Sequence, residues 1–245
     1  MSTHPSTATA DAVKPEQLVF ELIPPEAPSF ANFLGAANQE LVAALARAAR
    51  GALADTSIVA WGGPGAGKTH LLRATVRAAA EAGRPAQYCA TAEEAPAEPP
   101  AAGALLAIDR VDTADEAAQG RLFTLYNALA AAGGQLVAAT RAAPAHLPLR
   151  PDLRTRLLHG LVYEALALAD DAKPAALARY ATARGFVLET PVIDYLLSHY
   201  RRDMPSLLAM LASVDRYSLA TRRPVTLPLV RALLAQQGSA GHSTG

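Results

Sequence analysis

Eight residues, Gly62-Gly63-Pro64-Gly65-Ala66-Gly67-Lys68-Thr69, constrain this chain more than any other feature. They satisfy G-x-x-x-x-G-K-[ST] in the context that motif needs. The apolar run Ser57–Trp61 before it reads as a short buried strand, and residues 68 to about 82 read as a helix. In such a loop the glycines let backbone N–H groups turn inward on phosphates, and the helix N-terminus adds positive potential. Lys68 can then reach the outer phosphates, and the Thr69 hydroxyl can coordinate magnesium. The alternative is a glycine-rich turn with an exposed lysine, which requires every motif position and both flanking elements to agree by accident.

The rest of the chain continues the strand–helix alternation. An amphipathic helix opened by Asn38 runs through Leu41, Val42, Leu45 and Ala49 and stops near Gly51. Further strands are expected at 86–90, 104–108, Gln135–Thr140 and 161–165, with a helix at 116–132 closed by Gly133-Gly134. That order predicts an α/β fold: a parallel sheet flanked by helices, with ligands beyond the carboxyl ends of its strands. From about Leu168 the strands stop. Four helices follow at 174–185, 191–199, 205–221 and 227–235, three of them opening on proline, and form a C-terminal α-helical lid. The expected layout is a disordered tail at 1–16, a short peptide at 17–23, an α/β core at 24–167, the lid at 168–235 and a second disordered tail at 236–245.

Composition excludes several classes of function. Lys+Arg and Asp+Glu both total 22, so there is no general attraction to nucleic acid or an anionic membrane, and no direct sequence-specific DNA binding is expected. The single cysteine, Cys89, cannot form an internal disulfide, no Cys/His cluster has metal-site spacing, and no apolar run spans a bilayer. A cytoplasmic home is the expectation. Alanine makes up roughly a quarter of the residues and aromatics are few, which favours helices packed through small side chains.

The apolar strand Ala104-Leu105-Leu106-Ala107-Ile108 ends in Asp109, where a phosphate-loop protein needs a carboxylate to hold magnesium; alone, it reads equally as a strand-end cap. The next position, where many such ATPases place a second acid, is Arg110. Asp112 reads chiefly as a surface cap before the 116–132 helix, the alternative being that it reaches back to the site through water. The candidate nucleotide-holding set is therefore Gly62, Gly63, Pro64, Gly65, Ala66, Gly67, Lys68, Thr69, His70 and Asp109, with Thr69 and Asp109 toward Mg2+. As lone histidines, His70 and His146 otherwise read as solvent-facing or capping side chains, and Met204 and Met210 as packing residues.

Ser29-Phe30-Ala31-Asn32-Phe33 with Gly35 and Asn38, His70-Leu71-Leu72 after the loop, Leu125-Tyr126-Asn127, and Leu153-Arg154-Thr155-Arg156-Leu157 with Gly160-Leu161 together resemble the DnaA-type AAA+ family. The resemblance runs from Phe30 to Leu234 and is narrower toward the family's short regulatory inactivators. It implies an AAA+ P-loop core with a helical lid, bound ADP or ATP with Mg2+, and regulation of chromosomal replication initiation. The implied partners are the initiator DnaA and the β sliding clamp, and homo-oligomerisation is compatible with it.

Two site assignments depend on that resemblance. Gln17-Leu18-Val19-Phe20-Glu21-Leu22 is similar to the clamp-binding peptide of replication proteins, in which Leu18, Phe20 and Leu22 fill an apolar pocket and the Gln17 amide is hydrogen-bonded at its mouth. By itself the hexapeptide reads equally as an edge strand. Arg150, Arg154 and Arg156 are not separable by spacing; the resemblance selects Arg156 as a finger acting in trans on a neighbouring subunit's nucleotide. Three departures from the family weaken intrinsic hydrolysis: Arg110 at the second acid, Arg141 at the polar sensor after the Gln135–Thr140 strand, and Pro205 at the lid arginine. The resemblance thus implies weak or absent ATPase of its own and activation of hydrolysis in DnaA. The rivals are a self-sufficient AAA+ ATPase that loads or remodels a replication helicase, and a non-catalytic adaptor.

Overall fold

The computed structural model describes residues 27–98 and 100–240. The clamp-peptide residues Gln17, Leu18, Phe20 and Leu22, the expected tail at 1–16 and residues 241–245 lie outside the described residues.

Among the described residues five parallel strands form one sheet in the order β2-β3-β4-β1-β5: β1 (Ser57–Trp61), β2 (Ala86–Cys89), β3 (Leu105–Ile108), β4 (Gln135–Thr140) and β5 (Leu161–Glu164). The central strands β3 and β4 are buried at every position, as a parallel sheet covered on both faces requires. Alternate side chains serve opposite faces. Val59, Leu106, Ile108 and Ala138 pack with α3 (Glu116–Ala131) and α4 (Pro151–Leu158), whereas Ile58, Ala60, Ala107 and Val137 pack with α1 (Gln39–Ala49) and α2 (Lys68–Glu81).

Helix α4 is absent from the sequence-based expectation, which left the stretch between β4 and β5 unassigned. It is eight residues long and mostly polar, and it forms because Leu153 and Leu157, one turn apart, are buried against the sheet while Pro151 occupies its first turn. The lid comprises α5 (Lys173–Ala183), α6 (Thr190–His199), α7 (Met204–Thr221) and α8 (Leu227–Ala240), packed around Leu177, Val192, Leu196, Leu207 and Leu211. The last helix continues to Ala240, so 236–240 is helical rather than part of a tail. Among the described residues no helix is long and apolar enough to cross a membrane.

Gly160, just before β5, sits against the start of β1. A Cβ there would overlap the Ser57 carbonyl oxygen and lie 2.8 Å from its carbonyl carbon, both rigid backbone atoms. Gly160→Ala is therefore expected to push β5 from β1 and to destabilise by about 1–3 kcal/mol. For a chain of this size that lowers Tm by roughly 2–4 °C per kcal/mol. Thermal unfolding checks it; an unchanged Tm would mean that the strands separate without cost.

Candidate functional site

The loop leaves β1 and enters α2 through Gly67, which occupies the helix N-cap in the left-handed region (φ 83°) with no side-chain cap, leaving the first-turn amides open to an anion. A side chain at Gly67 has no room: a Cβ would lie 2.6 Å from the Phe33 ring. Lys68 Nζ folds back on the loop and donates to the carbonyls of Gly62 and, at 2.9 Å, Gly63. Its desolvation lowers the pKa, against the opposing pull of Asp109 and Asp112.

Asp109 is 5% exposed, and both of its oxygens are occupied. The Thr69 hydroxyl donates to Oδ2, as does the Tyr88 hydroxyl at 3.3 Å, and the Arg110 amide donates to Oδ1 at 2.9 Å. A hydroxyl and a carboxylate converging beside a phosphate-sized cradle are the hard oxygen donors magnesium takes. Among the described residues no three His, Cys, Asp or Glu side chains come together to hold a metal, so a cation here would draw its remaining ligands from phosphate and water. The donor set fits a nucleotide held with magnesium.

The three departures converge on one cavity of about 300 Å³, lined by the loop, Asp109, Arg110, Asp112, Arg141 and Pro205. Arg110 has left-handed backbone angles (φ 50°, ψ 40°), and its Nε donates to the Ala90 carbonyl at 3.0 Å. The turn also places Asp112 at the cavity rather than in the capping role that the sequence favoured. The cap of α3 is Asp115, which accepts from the Ala118 amide at 2.7 Å, while Asp112 faces the cavity and accepts from the Arg141 amide at 3.1 Å. Spacing could not separate two aspartates three residues apart ahead of one helix.

A second cavity of about 300 Å³ adjoins the first and shares Gly65, Ala66, Gly67, Thr69, His70 and Pro205 with it. Its apolar wall comes from Phe33 and Leu34 of the N-terminal segment and from Leu168, Met204 and Leu208 of the lid. This wall is what the sequence reading missed; Met204, read as packing, both packs and lines it. His70 is half-buried and lines both cavities: its Nε2 lies 2.9 Å from the Ser29 carbonyl and its ring packs against Phe33. Asn38, read as a helix opener, holds the N-cap position of α1 without a side-chain cap bond; its side chain ties the helix start to the segment after β5, donating to the Leu166 carbonyl at 2.9 Å and accepting from its amide at 2.8 Å. An anion cradle beside an apolar slot can hold a phosphorylated compound with a flat apolar group, such as a nucleotide.

Arg156 stands apart from both cavities. Its carbonyl accepts from the Ser57 hydroxyl at 3.3 Å, at the start of β1, whereas the loop follows the other end of that strand. A five-residue strand puts about 13 Å between those levels. The side chain is exposed, forms no ion pair among the described residues, and lies over the rings of Phe123 at 5.8 Å and Tyr126 at 5.7 Å. Arg150, by contrast, is paired with Asp152 at 2.9 Å.

Residues 170–234 match the family described as Hda, lid domain. The whole fold is similar to domain III of the replication initiation protein DnaA from Thermotoga maritima, with TM-score 0.69, 19% identity, and coverage of 86% of this chain and 97% of that one. It is also similar to AMPPCP-bound DnaA from Aquifex aeolicus, with TM-score 0.64, 21% identity, and coverage of 78% and 66%. A RuvB variant from Thermotoga maritima matches with TM-score 0.61, 20% identity, and coverage of 84% and 70%. At these identities the likeness to solved structures is one of fold.

Proposed function

We propose, from the premise that this chain is an AAA+ protein of the Hda/DnaA type, that it is a cytoplasmic regulator of replication initiation that stimulates hydrolysis of DnaA-bound ATP through Arg156 while attached to the β sliding clamp. The observation that carries the reading is the separation of two devices on one scaffold. A phosphate cradle with Lys68, Thr69 and Asp109 lies at one end of β1, and an exposed guanidinium without a carboxylate partner lies toward the other.

The cradle holds ADP or ATP with Mg2+, whose role is to bridge the core and the lid across the shared cavities. Gly65, Ala66 and Gly67 offer amides to the phosphates, Thr69 and Asp109 the oxygens for the cation, and Phe33, Leu168, Met204 and Leu208 the apolar slot for the base. Arg110 in place of a second acid and Pro205 in place of a lid donor leave little machinery for the chain's own turnover. Arg156 is too far along β1 for its own cradle, which suits action on a neighbouring subunit's nucleotide, where a guanidinium stabilises charge developing in phosphoryl transfer. The clamp peptide Gln17, Leu18, Phe20 and Leu22 supplies attachment near newly replicated DNA.

The test is a pull-down with sliding clamp followed by hydrolysis of DnaA-bound ATP, with the isolated chain assayed alongside. Capture by clamp, stimulation of DnaA and negligible turnover alone are expected. Vigorous hydrolysis by the isolated chain, with no effect on DnaA, would favour a self-sufficient ATPase instead.

A further inference from the structure

The proposed function gives a role to Thr69 and Asp109 but none to Tyr88, the other side chain whose hydroxyl donates to that carboxylate. Strand β2 brings it there. Tyr88 pairs with Ala107 in the parallel register of β2 and β3, and the ladder runs on past it, with the Asp109 amide donating to the Cys89 carbonyl at 3.0 Å. Residues two apart on a strand share a face, so Asp109 stands on the same side of the sheet as Ala107, the side that packs with α1 and α2. The Tyr88 ring lies on this side too, half-buried, with the guanidinium carbon of Arg73, from α2, 4.9 Å from its centroid. From there its hydroxyl reaches Asp109 Oδ2 at 3.3 Å.

A buried aspartate on a rigid strand still has one soft torsion, because rotation of its carboxyl group is broad and twofold. Its aim must come from donors. The Arg110 amide holds Oδ1, and the hydroxyls of Thr69 and Tyr88 hold Oδ2. These donors are not equivalent. On the nucleotide reading the Thr69 oxygen is itself a ligand of the cation, so its position shifts with what the site holds. Tyr88 stands outside that ligand set, and among the described residues Asp109 is its only side-chain acceptor. Burial and the nearby charge of Asp109 raise the pKa of the phenol, so the hydroxyl keeps its proton and remains a donor.

We propose that Tyr88 positions the cation-holding carboxylate: its hydroxyl fixes Asp109 Oδ2 toward Thr69, and the ring, set between β2 and Arg73, fixes the hydroxyl. This rests on reading the loop as a site for a nucleotide with magnesium. A supporting donor of this kind acts only through the ligand it holds, and its loss typically weakens a metal site by about 10- to 100-fold. The contact is long for an O–H donor, which puts Tyr88 at the low end of that range. Its effect must appear in the cation dependence of nucleotide binding and vanish once Asp109 is no longer a carboxylate.

The experiment is calorimetric binding of ADP to the full chain across a magnesium titration and in EDTA, with Mn2+ uptake by the ADP complex followed by electron paramagnetic resonance. Tyr88→Phe removes the hydroxyl and keeps the ring. It is expected to raise the Mg2+ and Mn2+ concentrations for half-saturation about tenfold. Affinity for ADP in EDTA should stay within about twofold, and in an Asp109→Asn background the same substitution should change the cation requirement by less than about twofold. Equal loss of ADP affinity with and without cation would make Tyr88 a packing residue, and an undiminished effect beside Asp109→Asn would mean that it acts by another route. Either result, or no effect of Tyr88→Phe at all, overturns the proposal while the nucleotide reading stands. An unmodified chain that binds no ADP under either condition overturns both.

Discussion

Arg156→Ala is expected to abolish stimulation of DnaA-bound ATP hydrolysis while leaving the fold, nucleotide binding and clamp attachment intact. The backbone of α4 is held by Leu153 and Leu157, both fully buried, so the helix does not depend on its exposed arginine. What the substitution removes locally is the contact with Phe123 and Tyr126. An exposed cation–π contact contributes about 0.5–1 kcal/mol, a small part of the roughly 5–15 kcal/mol that keeps a domain folded. The functional loss is far larger, because a finger arginine contributes roughly 10³ to 10⁵ in rate. Arg156→Lys is not expected to rescue, since an ammonium lacks the fork that engages phosphate oxygens at two points. Arg150→Ala, whose guanidinium is already engaged by Asp152, serves as the comparison and should retain stimulation. The measurement is single-turnover hydrolysis of DnaA-bound ATP with clamp loaded on DNA. An Arg156→Ala protein within tenfold of the unmodified chain would remove the finger from the mechanism.

How much of this was readable beforehand depended on whether the signal was local. β1 and β4 were legible to the residue because central parallel strands, covered on both faces, read as unbroken apolar runs bounded by turn residues. The loop was legible because its geometry needs glycine, lysine and threonine at fixed spacing between a strand and a helix. Helix α4 was not, because eight residues with two buried leucines carry too little periodicity to stand out, and its stability comes from the sheet beneath it. The apolar slot beside the cradle was invisible for a related reason. Phe33 and Leu34 come from the N-terminal segment and Leu168, Met204 and Leu208 from the lid, and only tertiary folding brings them to one wall. Arg110 and Arg141 were visible as departures, but their orientation was not: the left-handed turn at Arg110 decides that Asp112 faces the cavity and Asp115 caps the helix. Arg156 was singled out from its neighbours by resemblance, not by spacing. The structure adds that Arg150 is engaged by a carboxylate while Arg156 is exposed over two aromatic rings.

Gln17→Ala with Leu18→Ala is expected to have the complementary phenotype: loss of clamp capture and of stimulation at low protein concentration, with stimulation recovered as concentration rises. On the proposed reading, the pair removes the amide at the mouth of the clamp pocket and one of three apolar anchors, and buried anchors of this kind are each worth about 2 kcal/mol or more in an interface. Tethering works by raising effective concentration to the millimolar range, so its loss weakens the encounter with DnaA by roughly 10²- to 10⁴-fold without touching the chemistry. Mass action can therefore replace the tether. It cannot replace a missing guanidinium, so the Arg156→Ala defect should persist at every concentration, even though clamp capture remains normal. Titrating each variant against DnaA-bound ATP, with and without clamp, separates attachment from catalysis. If the double substitution lowered the saturating rate as well as raising the concentration needed to reach it, the peptide would have to act on the α/β core itself, and attachment alone would no longer explain its role.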